Sequence, residues 1–227
     1  MSNHDTWLSN IQEEVDFWRM WMTSEKYAHL KDARLKNNKI VSQGIINLLG
    51  LSEGSQIKLL DVGSGPISTL GSEHDNFDIQ LHPVDPLAEE YNKLLDELNL
   101  SQCPRIVKGT GESLKELFTE NHFDFVNSAN ALDHSYNPLL CIQNMVHVCK
   151  PSGWVNIVTV QNEGQRQNYQ GLHQWNFELQ DDCVRLWNLN SDLLLHEHLD
   201  NIEQLEAVSV DHGNGLPMIM IKIKKKI

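Results

Sequence analysis

The chain has 227 residues, 40% hydrophobic and 22% charged, which is typical of one globular domain with a sizeable core. Its 18 Lys and Arg against 31 Asp and Glu give a net charge of −13, which would repel phosphate backbones and argues against nucleic acid as a partner. Four scattered cysteines without a C-x-x-C pair indicate a reducing compartment. An acidic N-terminus and the lack of a stretch of roughly 18 to 20 apolar residues predict a cytoplasmic protein without a membrane partner.

The first 50 residues are predicted to form a helical cap. Apolar side chains recur there at the spacing of one helix face: Trp7, Ile11, Val15, Trp18 and Met22. Two further helices are expected over residues 25–36 and 38–49, the second ending at Gly50 as its C-cap. The aromatic stripe is expected to pack against the core, with a pocket lined by Trp18, Trp21 and Tyr27 as the alternative.

Residues 59–71 place an acidic residue and two close glycines directly after a short apolar strand. Such a turn lets the backbone approach a ligand, and a helix near Thr69 would present unpaired N–H groups to it. The next apolar run ends in a second acid, 24 residues after the first, where α/β nucleotide folds bind ribose. The predicted nucleotide cradle consists of Asp61, Gly63, Gly65 and Asp85.

Between residues 57 and 160, predicted strands alternate with predicted helices. The strands are expected at 57–62, 79–84, 105–107, 123–128 and 154–160. Besides the helix near Thr69, helices are expected at 86–98, 112–118 and 137–149. This alternation specifies a parallel sheet covered by helices on both faces, with ligands above the carboxyl ends of the strands.

The last third of the chain has a different character. Residues 161–177 are too polar for a core and carry scattered aromatic and basic groups, so they are predicted to form a lid over the substrate. Strands at 183–187 and 193–196 are predicted to form a hairpin, and closing strands are expected at 207–210 and 218–223 around a Gly213-Asn214-Gly215 turn.

Five motifs, in the expected order over roughly residues 55–160, resemble those of class I S-adenosylmethionine-dependent methyltransferases, specifically the small-molecule branch. They are the glycine motif at 60–65, the ribose acid at 84–85, the adenine motif at 108–114, the fourth strand and its turn at 123–134, and the proline-glycine turn at 150–154. The resemblance implies an α/β fold with a doubly wound, mostly parallel seven-stranded sheet, the Rossmann-like methyltransferase fold. It also implies an N-terminal helical cap and a C-terminal hairpin or lid insertion.

One methyltransferase domain is expected over residues 1–227. Its parts are a helical cap at 1–50, a cofactor-binding core at 51–160, an acceptor lid and hairpin at 161–200, and closing strands at 201–227.

The resemblance implies S-adenosylmethionine as the cofactor. Asp61 would receive the donor's ammonium, the backbone of Gly63 and Gly65 would approach its carboxylate or ribose, and Asp85 would accept from the ribose hydroxyls. Thr110 stands where the adenine motif often has aspartate, which leaves the Gly111 backbone and Glu112 for contact with adenine. Ser128 is a further predicted cofactor-binding residue.

Methyl transfer is an in-line displacement that depends on alignment and a dry site. Where the acceptor holds a proton, His134 and His173 are the imidazoles best placed to remove it. Asp133 would orient His134 or cap its turn. The predicted acceptor contacts are Tyr136, Arg166, Tyr169 and Trp175.

His196 and His198 would share one face of a strand, but no third ligand at a recognisable spacing accompanies them, so no metal is expected. The favoured function is methyl transfer to a hydroxyl, in preference to an amine, of a small polar metabolite such as a sugar, a nucleotide-linked sugar or a natural-product intermediate. An NAD-dependent oxidoreductase stays open, although Ser68 stands where that fingerprint has Gly or Ala. A non-catalytic S-adenosylmethionine-binding protein stays open too, and so does the oligomeric state.

Overall fold

The computed structural model describes residues 3–37, 39–211 and 215–227. Over these residues the chain forms ten strands: β1 (Gln56–Val62), β2 (Asp78–Asp85), β3 (Val107–Lys108), β4 (Phe123–Ala129), β5 (Cys149–Val160), β6 (Asn176–Gln180), β7 (Cys183–Trp187), β8 (Asp192–Leu194), β9 (Ile202–Val210) and β10 (Met218–Lys225). Seven of them form one sheet in the order β3-β2-β1-β4-β5-β10-β9, in which β10 runs antiparallel to both of its neighbours. The predicted doubly wound, mostly parallel seven-stranded sheet is confirmed.

Helices surround this sheet. They are α1 (Asn3–Thr23), α2 (Ala28–Asn37), α3 (Gln43–Leu49), α4 (Ala88–Glu97), α5 (Leu114–Leu117), α6 (Pro138–Val148) and α7 (Glu163–Arg166). The start of α6 follows its sequence signals, because the Asn137 side chain accepts the N–H of Leu140 and Pro138 occupies the first helical position. Within the described part of the chain, no helix is both long and apolar enough to cross a bilayer.

The third helix begins later than predicted. Ser42 caps α3 by accepting the N–H of Ile45, and the preceding residues are drawn into an extended contact in which the Val41 N–H bonds to the Glu73 carbonyl at 2.9 Å. Residue 38, the predicted start, lies outside the described residues. The predicted end is correct, since Gly50 has a left-handed φ of 59°.

The helix predicted near Thr69 is wrong. Residues 63–77, all described, form turns and bends between β1 and β2. The Asp61 carboxylate accepts hydrogen bonds from the Ser68 hydroxyl at 2.6 Å and from the Thr69 N–H at 3.1 Å, which fixes this segment in a non-helical path. Gly71 then passes so close to the chain at Ile40 that a Cβ there would lie 2.2 Å from the Ile40 carbonyl carbon.

The predicted hairpin is present as the antiparallel pair β7–β8, and β6 extends it to a three-stranded sheet. The strand β6 was missed although its polar residues alternate with Phe177 and Leu179. His196 and His198 lie on a 3-10 turn, Leu195–His198, and not on a strand. In the turn predicted between the closing strands, Gly213 and Asn214 lie outside the described residues.

Two apolar clusters fix the cap and the helices on the sheet. One joins α6 to β4, β5 and β10, with Ile142, Met145 and Ile221 fully buried. The other joins α1 to α4 around Met22 and Tyr91, which are both buried. The N-terminal apolar stripe therefore packs against the domain, as its spacing predicted.

We expect Asp61→Ala to lower the free energy of unfolding by about 3 kcal/mol, because buried donors on Ser68, Thr69 and Asn127 would lose a shared charged acceptor. Urea denaturation would measure the change. Asp78→Ala is the matched control, since this exposed aspartate bonds to the Gln56 side chain and should change stability by less than about 0.5 kcal/mol. Equal losses in both variants would contradict the role of Asp61.

Candidate functional site

A cavity of about 450 Å³ lies above the carboxyl ends of β1, β2, β4 and β5. The turns that follow these strands form its floor, α1 covers it, and part of the predicted lid closes one side. Its volume lies within the range of small-ligand sites, and its position is the one predicted for an α/β sheet of this kind.

The glycine turn after β1 forms one wall. Gly63 and Gly65 have left-handed φ angles of 66° and 61° and both line the cavity. A Cβ at Gly63 would lie 2.4 Å from the Cβ of Ala131, and one at Gly65 would lie 3.0 Å from the Trp18 ring. Both positions therefore need glycine for conformation and for space.

Asp85 ends β2 and lines the cavity while remaining 6% exposed. One carboxylate oxygen accepts the Gly65 N–H at 3.0 Å and the other accepts the Leu87 N–H at 2.9 Å. Burial raises the pKa of Asp85 to about 7, against the opposing effect of these two N–H groups, and the charges of Glu14 and Asp61 act in the same direction as burial. Each oxygen retains capacity for a second donor, so the group can also accept from a ligand.

Asp61 and Ser128, predicted to contact the cofactor, are not among the described residues that line the cavity. Asp61 is 1% exposed, and its carboxylate is already engaged by Ser68, Thr69 and Asn127. Ser128 donates its hydroxyl to the Val62 carbonyl at 2.9 Å. Both side chains fix the ends of the strands from which the cavity wall is built.

Gly111 and Glu112 lie where the adenine motif predicted them, on the cavity. A Cβ at Gly111 would lie 2.6 Å from the Cys141 sulfur, so α6 packs directly against this backbone. The Glu112 carboxylate accepts the N–H of Asn137 at 3.0 Å, which ties this turn to the start of α6.

Asp133, His134 and His173 meet at the cavity, although 39 residues separate the two histidines. His134 Nε2 lies 3.0 Å from His173 Nδ1, which lies 2.8 Å from Asp133 Oδ2. The lid is fixed here by its backbone, because the N–H of Gln174 donates to the Asp133 carbonyl at 3.1 Å. The ligand atoms of the three side chains all lie within 4.8 Å of one another, a spacing that can hold a metal ion.

The electrostatics of these three side chains are coupled. Burial alone would raise the pKa of Asp133, but the neighbouring His134 and His173 lower it below its ordinary value. Burial alone would lower the pKa of His173, but its hydrogen bond to Asp133 and the charges of Asp133, Glu163 and Glu14 raise it.

The first helix lines the cavity with Trp18, for which a pocket wall was the alternative prediction, and with Glu14, which the sequence did not assign to a site. The indole N–H of Trp18 donates to a Glu14 oxygen at 2.7 Å. The other Glu14 oxygen lies 3.7 Å from His134 Nδ1. The sequence signal for this was the spacing, since Glu14 lies one turn before Trp18 at the edge of the aromatic stripe.

Arg34, on α2, is a second residue that sequence reasoning missed. It is the one arginine or lysine among the described residues that line the cavity, and its guanidinium carbon lies 5.3 Å from the centre of the Trp18 ring. Its Nε is buried without a hydrogen-bond partner, and no described carboxylate lies within ion-pair distance of it. Burial lowers the pKa of Arg34, opposed by the charge of Asp61.

None of the four predicted acceptor contacts is among the described residues that line this cavity. Tyr136 packs edge-on against the rings of His4 and Trp7, with the centroids 4.8 and 6.0 Å away. Arg166 turns back along α7 to pair with Glu163 at 3.4 Å. Tyr136 and Arg166 therefore contact residues that line the cavity, Trp7 and Glu163, without lining it themselves.

The other two predicted contacts are structural as well. The Tyr169 hydroxyl accepts from the Asn176 amide at 3.1 Å, and Trp175 is buried in the apolar cluster against β6. From the predicted lid, the side of the cavity is instead formed by Glu163, Leu172 and His173.

We compared the sequence and the fold with those of known proteins. Residues 60–157 match the model of a family described as a methyltransferase domain, and no curated protein matches the chain. The fold is similar to the 1,6-didemethyltoxoflavin-N1-methyltransferase of Burkholderia thailandensis, with a TM-score of 0.57 and 15% identity over 100% of this chain and 92% of that one.

Two further structures are similar. Phosphoethanolamine N-methyltransferase 2 of Haemonchus contortus has a TM-score of 0.55 at 15% identity over 92% of this chain, and the CurJ carbon methyltransferase has 0.52 at 14% over 78%. The chain spans 60% and 50% of these two proteins. Together with the order of the sheet, the likeness shows that the chain has the fold of the class I S-adenosylmethionine-dependent methyltransferases, and residues 60–157 match a methyltransferase domain.

Proposed function

We propose that the chain transfers a methyl group from S-adenosylmethionine to a small polar metabolite, at a hydroxyl in preference to an amine. One observation carries this proposal: the glycine turn with Asp85 and the cluster of Asp133, His134 and His173 line the same cavity. We assign the first of these sides to the donor and the second to the acceptor. Methyl transfer needs both parts, because the donor's sulfur and the acceptor's nucleophile must approach each other in line.

The first side suits the donor. The backbone of the glycine turn and the Asp85 carboxylate offer partners for the ribose, and Gly111 and Glu112 offer a slot for adenine. Arg34, which lines the cavity and lies over the Trp18 ring, would supply the buried positive charge that the donor's carboxylate needs. We assign an indirect role to Asp61 and Ser128, which hold the strand ends beneath the donor.

The second side suits the acceptor. Transfer forms a bond from the acceptor's nucleophile to the methyl carbon as the carbon–sulfur bond breaks, which leaves S-adenosylhomocysteine. The two imidazoles face this part of the cavity, with side-chain exposures of 20% for His134 and 32% for His173. We assign to them the activation of the acceptor's nucleophilic atom.

The charge of the cavity lining favours some classes of acceptor over others. Glu14, Asp133 and Glu163 lie on this part of the cavity, and Arg34, the one arginine or lysine among the described lining residues, is assigned to the donor. An uncharged or cationic group is therefore favoured there over a phosphate. A sugar or a natural-product intermediate meets this condition, and a nucleotide-linked sugar meets it when its phosphates stay at the cavity mouth.

The direct test is incubation of the purified chain with S-adenosylmethionine and a panel of polyhydroxylated and amino metabolites, with products identified by mass. We expect one monomethylated product and stoichiometric S-adenosylhomocysteine. Tight binding of NAD without binding of the methyl donor would establish the oxidoreductase alternative. Donor binding without turnover on any acceptor would favour the non-catalytic alternative.

We expect Arg34→Met to weaken binding of S-adenosylhomocysteine by about 10- to 100-fold, because the ligand's carboxylate loses a buried charged donor. The affinity for 5′-methylthioadenosine, which lacks the amino acid group, should stay unchanged. Isothermal titration calorimetry measures both constants. Arg19→Met is the matched control, since this exposed arginine on the same helical cap pairs with Glu97. Equal losses for the two ligands would contradict contact with the carboxylate.

The affinity for S-adenosylhomocysteine should rise about tenfold between pH 6 and pH 8, because Asp85 has a pKa of about 7 and accepts ribose hydroxyls best when ionised. Ionisation of Asp85 also affects folding, with the opposite sign. Because the pKa of Asp85 is higher in the folded than in the unfolded state, the free energy of unfolding falls as the pH rises to about 7. Asp85→Asn should bind weakly with a flat pH profile. A flat profile in the wild type would remove Asp85 from the ribose site.

His134→Gln and His173→Gln should each slow methyl transfer by roughly 100-fold or more while leaving the dissociation constant of S-adenosylhomocysteine within about twofold. The reason is that both imidazoles face the acceptor side of the cavity. Single-turnover rates with the acceptor found in the screen, together with calorimetry, separate the two effects. Wild-type rates in both variants would show that neither imidazole takes part.

A further inference from the structure

We propose that Asp133, His134 and His173 form a binding site for one divalent transition-metal cation, with its open positions facing the cavity. The proposed role of this cation in methyl transfer rests on the proposed function, whereas its binding does not.

The distances fit a coordination site. His134 Nε2, His173 Nδ1 and Asp133 Oδ2 form a triangle with sides of 3.0, 2.8 and 3.5 Å. Zinc-type cations bind imidazole nitrogen and carboxylate oxygen at about 2.0 to 2.2 Å, which puts neighbouring ligand atoms about 3.0 to 3.5 Å apart. The three atoms therefore have the spacing of one face of a coordination polyhedron, with two histidines and one carboxylate as in the open facial sites of non-haem iron.

Hydrogen bonding alone leaves this cluster incompletely satisfied. A Glu14 oxygen lies 3.7 Å from His134 Nδ1, which favours the proton on that nitrogen and leaves Nε2 as an acceptor. His173 Nδ1 then has one proton for two acceptors, His134 Nε2 at 3.0 Å and Asp133 Oδ2 at 2.8 Å. A cation at the centre would satisfy both nitrogen lone pairs and the carboxylate together.

The surroundings supply the features that metal sites require. The Asp133 side chain is 4% exposed, and no arginine or lysine pairs with it within the described part of the chain. Glu14 stands beside His134 as the carboxylate that commonly orients a metal-binding histidine. Glu163 lines the same side of the cavity and adds negative charge.

The site is also preformed. Asp133 and His134 lie on the 3-10 turn Leu132–His134 that follows β4, and His173 comes from the lid. The bond from the Gln174 N–H to the Asp133 carbonyl holds the two segments together. The sequence could not show this, because its metal test rested on the pair His196 and His198.

A cation at this site would explain why a hydroxyl is preferred to an amine as the methyl acceptor. An acceptor hydroxyl in an open coordination position becomes more acidic, so its proton passes to solvent as its oxygen approaches the methyl carbon. The new oxygen–carbon bond forms, the sulfur–carbon bond breaks, and its electron pair stays on the now neutral sulfur. Imidazole and carboxylate together suit zinc, iron, manganese or cobalt better than magnesium.

The test uses the full chain, stripped with a chelator and titrated with zinc by calorimetry and with cobalt by visible absorption. We expect one zinc per chain and a cobalt spectrum typical of nitrogen and oxygen ligands. His173→Gln and Asp133→Asn should each weaken zinc binding at least about 10- to 100-fold. Retained affinity for S-adenosylhomocysteine and an unchanged circular dichroism spectrum would show that both variants fold.

The control replaces both exposed histidines of the 3-10 turn, as His196→Gln with His198→Gln, and should bind zinc like the wild type. No binding to the wild type, or binding that survives His173→Gln and is lost in the control, would overturn the site. Equal transfer rates in stripped and zinc-loaded protein would overturn its role in catalysis. Zinc binding by a chain that transfers no methyl group would support the site while the proposed function fails.

Discussion

The structure depends on two buried carboxylates at the ends of neighbouring parallel strands. Asp61 lies next to the end of β1, and Asp85 ends β2. Asp85 accepts the N–H groups of Gly65 in the glycine turn and of Leu87 after β2, and Asp61 accepts from Ser68 and Thr69 in the segment after the turn. In doubly wound sheets a helix commonly follows the glycine turn after β1, but here residues 63–77 form turns and bends. Because burying carboxylates is costly unless they are well bonded, the turn geometry and the ionisation of these groups are linked.

The cavity is completed by parts of the chain that are distant in sequence. Trp18 lies against Gly65, so the cap touches the donor side, and Glu14 on the same helix approaches His134 on the acceptor side. The lid reaches the same place through the backbone bond between Gln174 and Asp133. Ordering of the cap and ordering of the lid are thus coupled through one set of polar contacts, and any ligand that bridges the two sides would stabilise both.

The sequence predicted features set by local patterns. Strand periodicity, the caps at Asn137 and Gly50, and the ordered motifs gave the sheet and placed Asp85, Gly111 and His134 near one edge. It missed features set by tertiary contacts. The loop after β1 follows the bonds of Asp61, and Arg34 reaches the cavity through the packing of α2 beside Trp18. The polar and aromatic composition of the lid could not show which way its side chains point. Tyr169 bonds to Asn176, and Trp175 is buried in the apolar cluster.

The acidic lining bears on turnover as well as on binding. In the proposed complex the donor's sulfonium would share a cavity lined by Glu14, Asp85 and Glu112. Transfer removes this positive charge from the sulfur, so the product loses an attraction that the donor had, while the carboxylate contact with Arg34 is the same for both. The same lining also limits repulsion between the sulfonium and a cation bound at Asp133, because Glu14 and Glu163 offset the cation's charge. A negatively charged cavity therefore allows two positive centres to share about 450 Å³ and favours exchange of product for fresh donor.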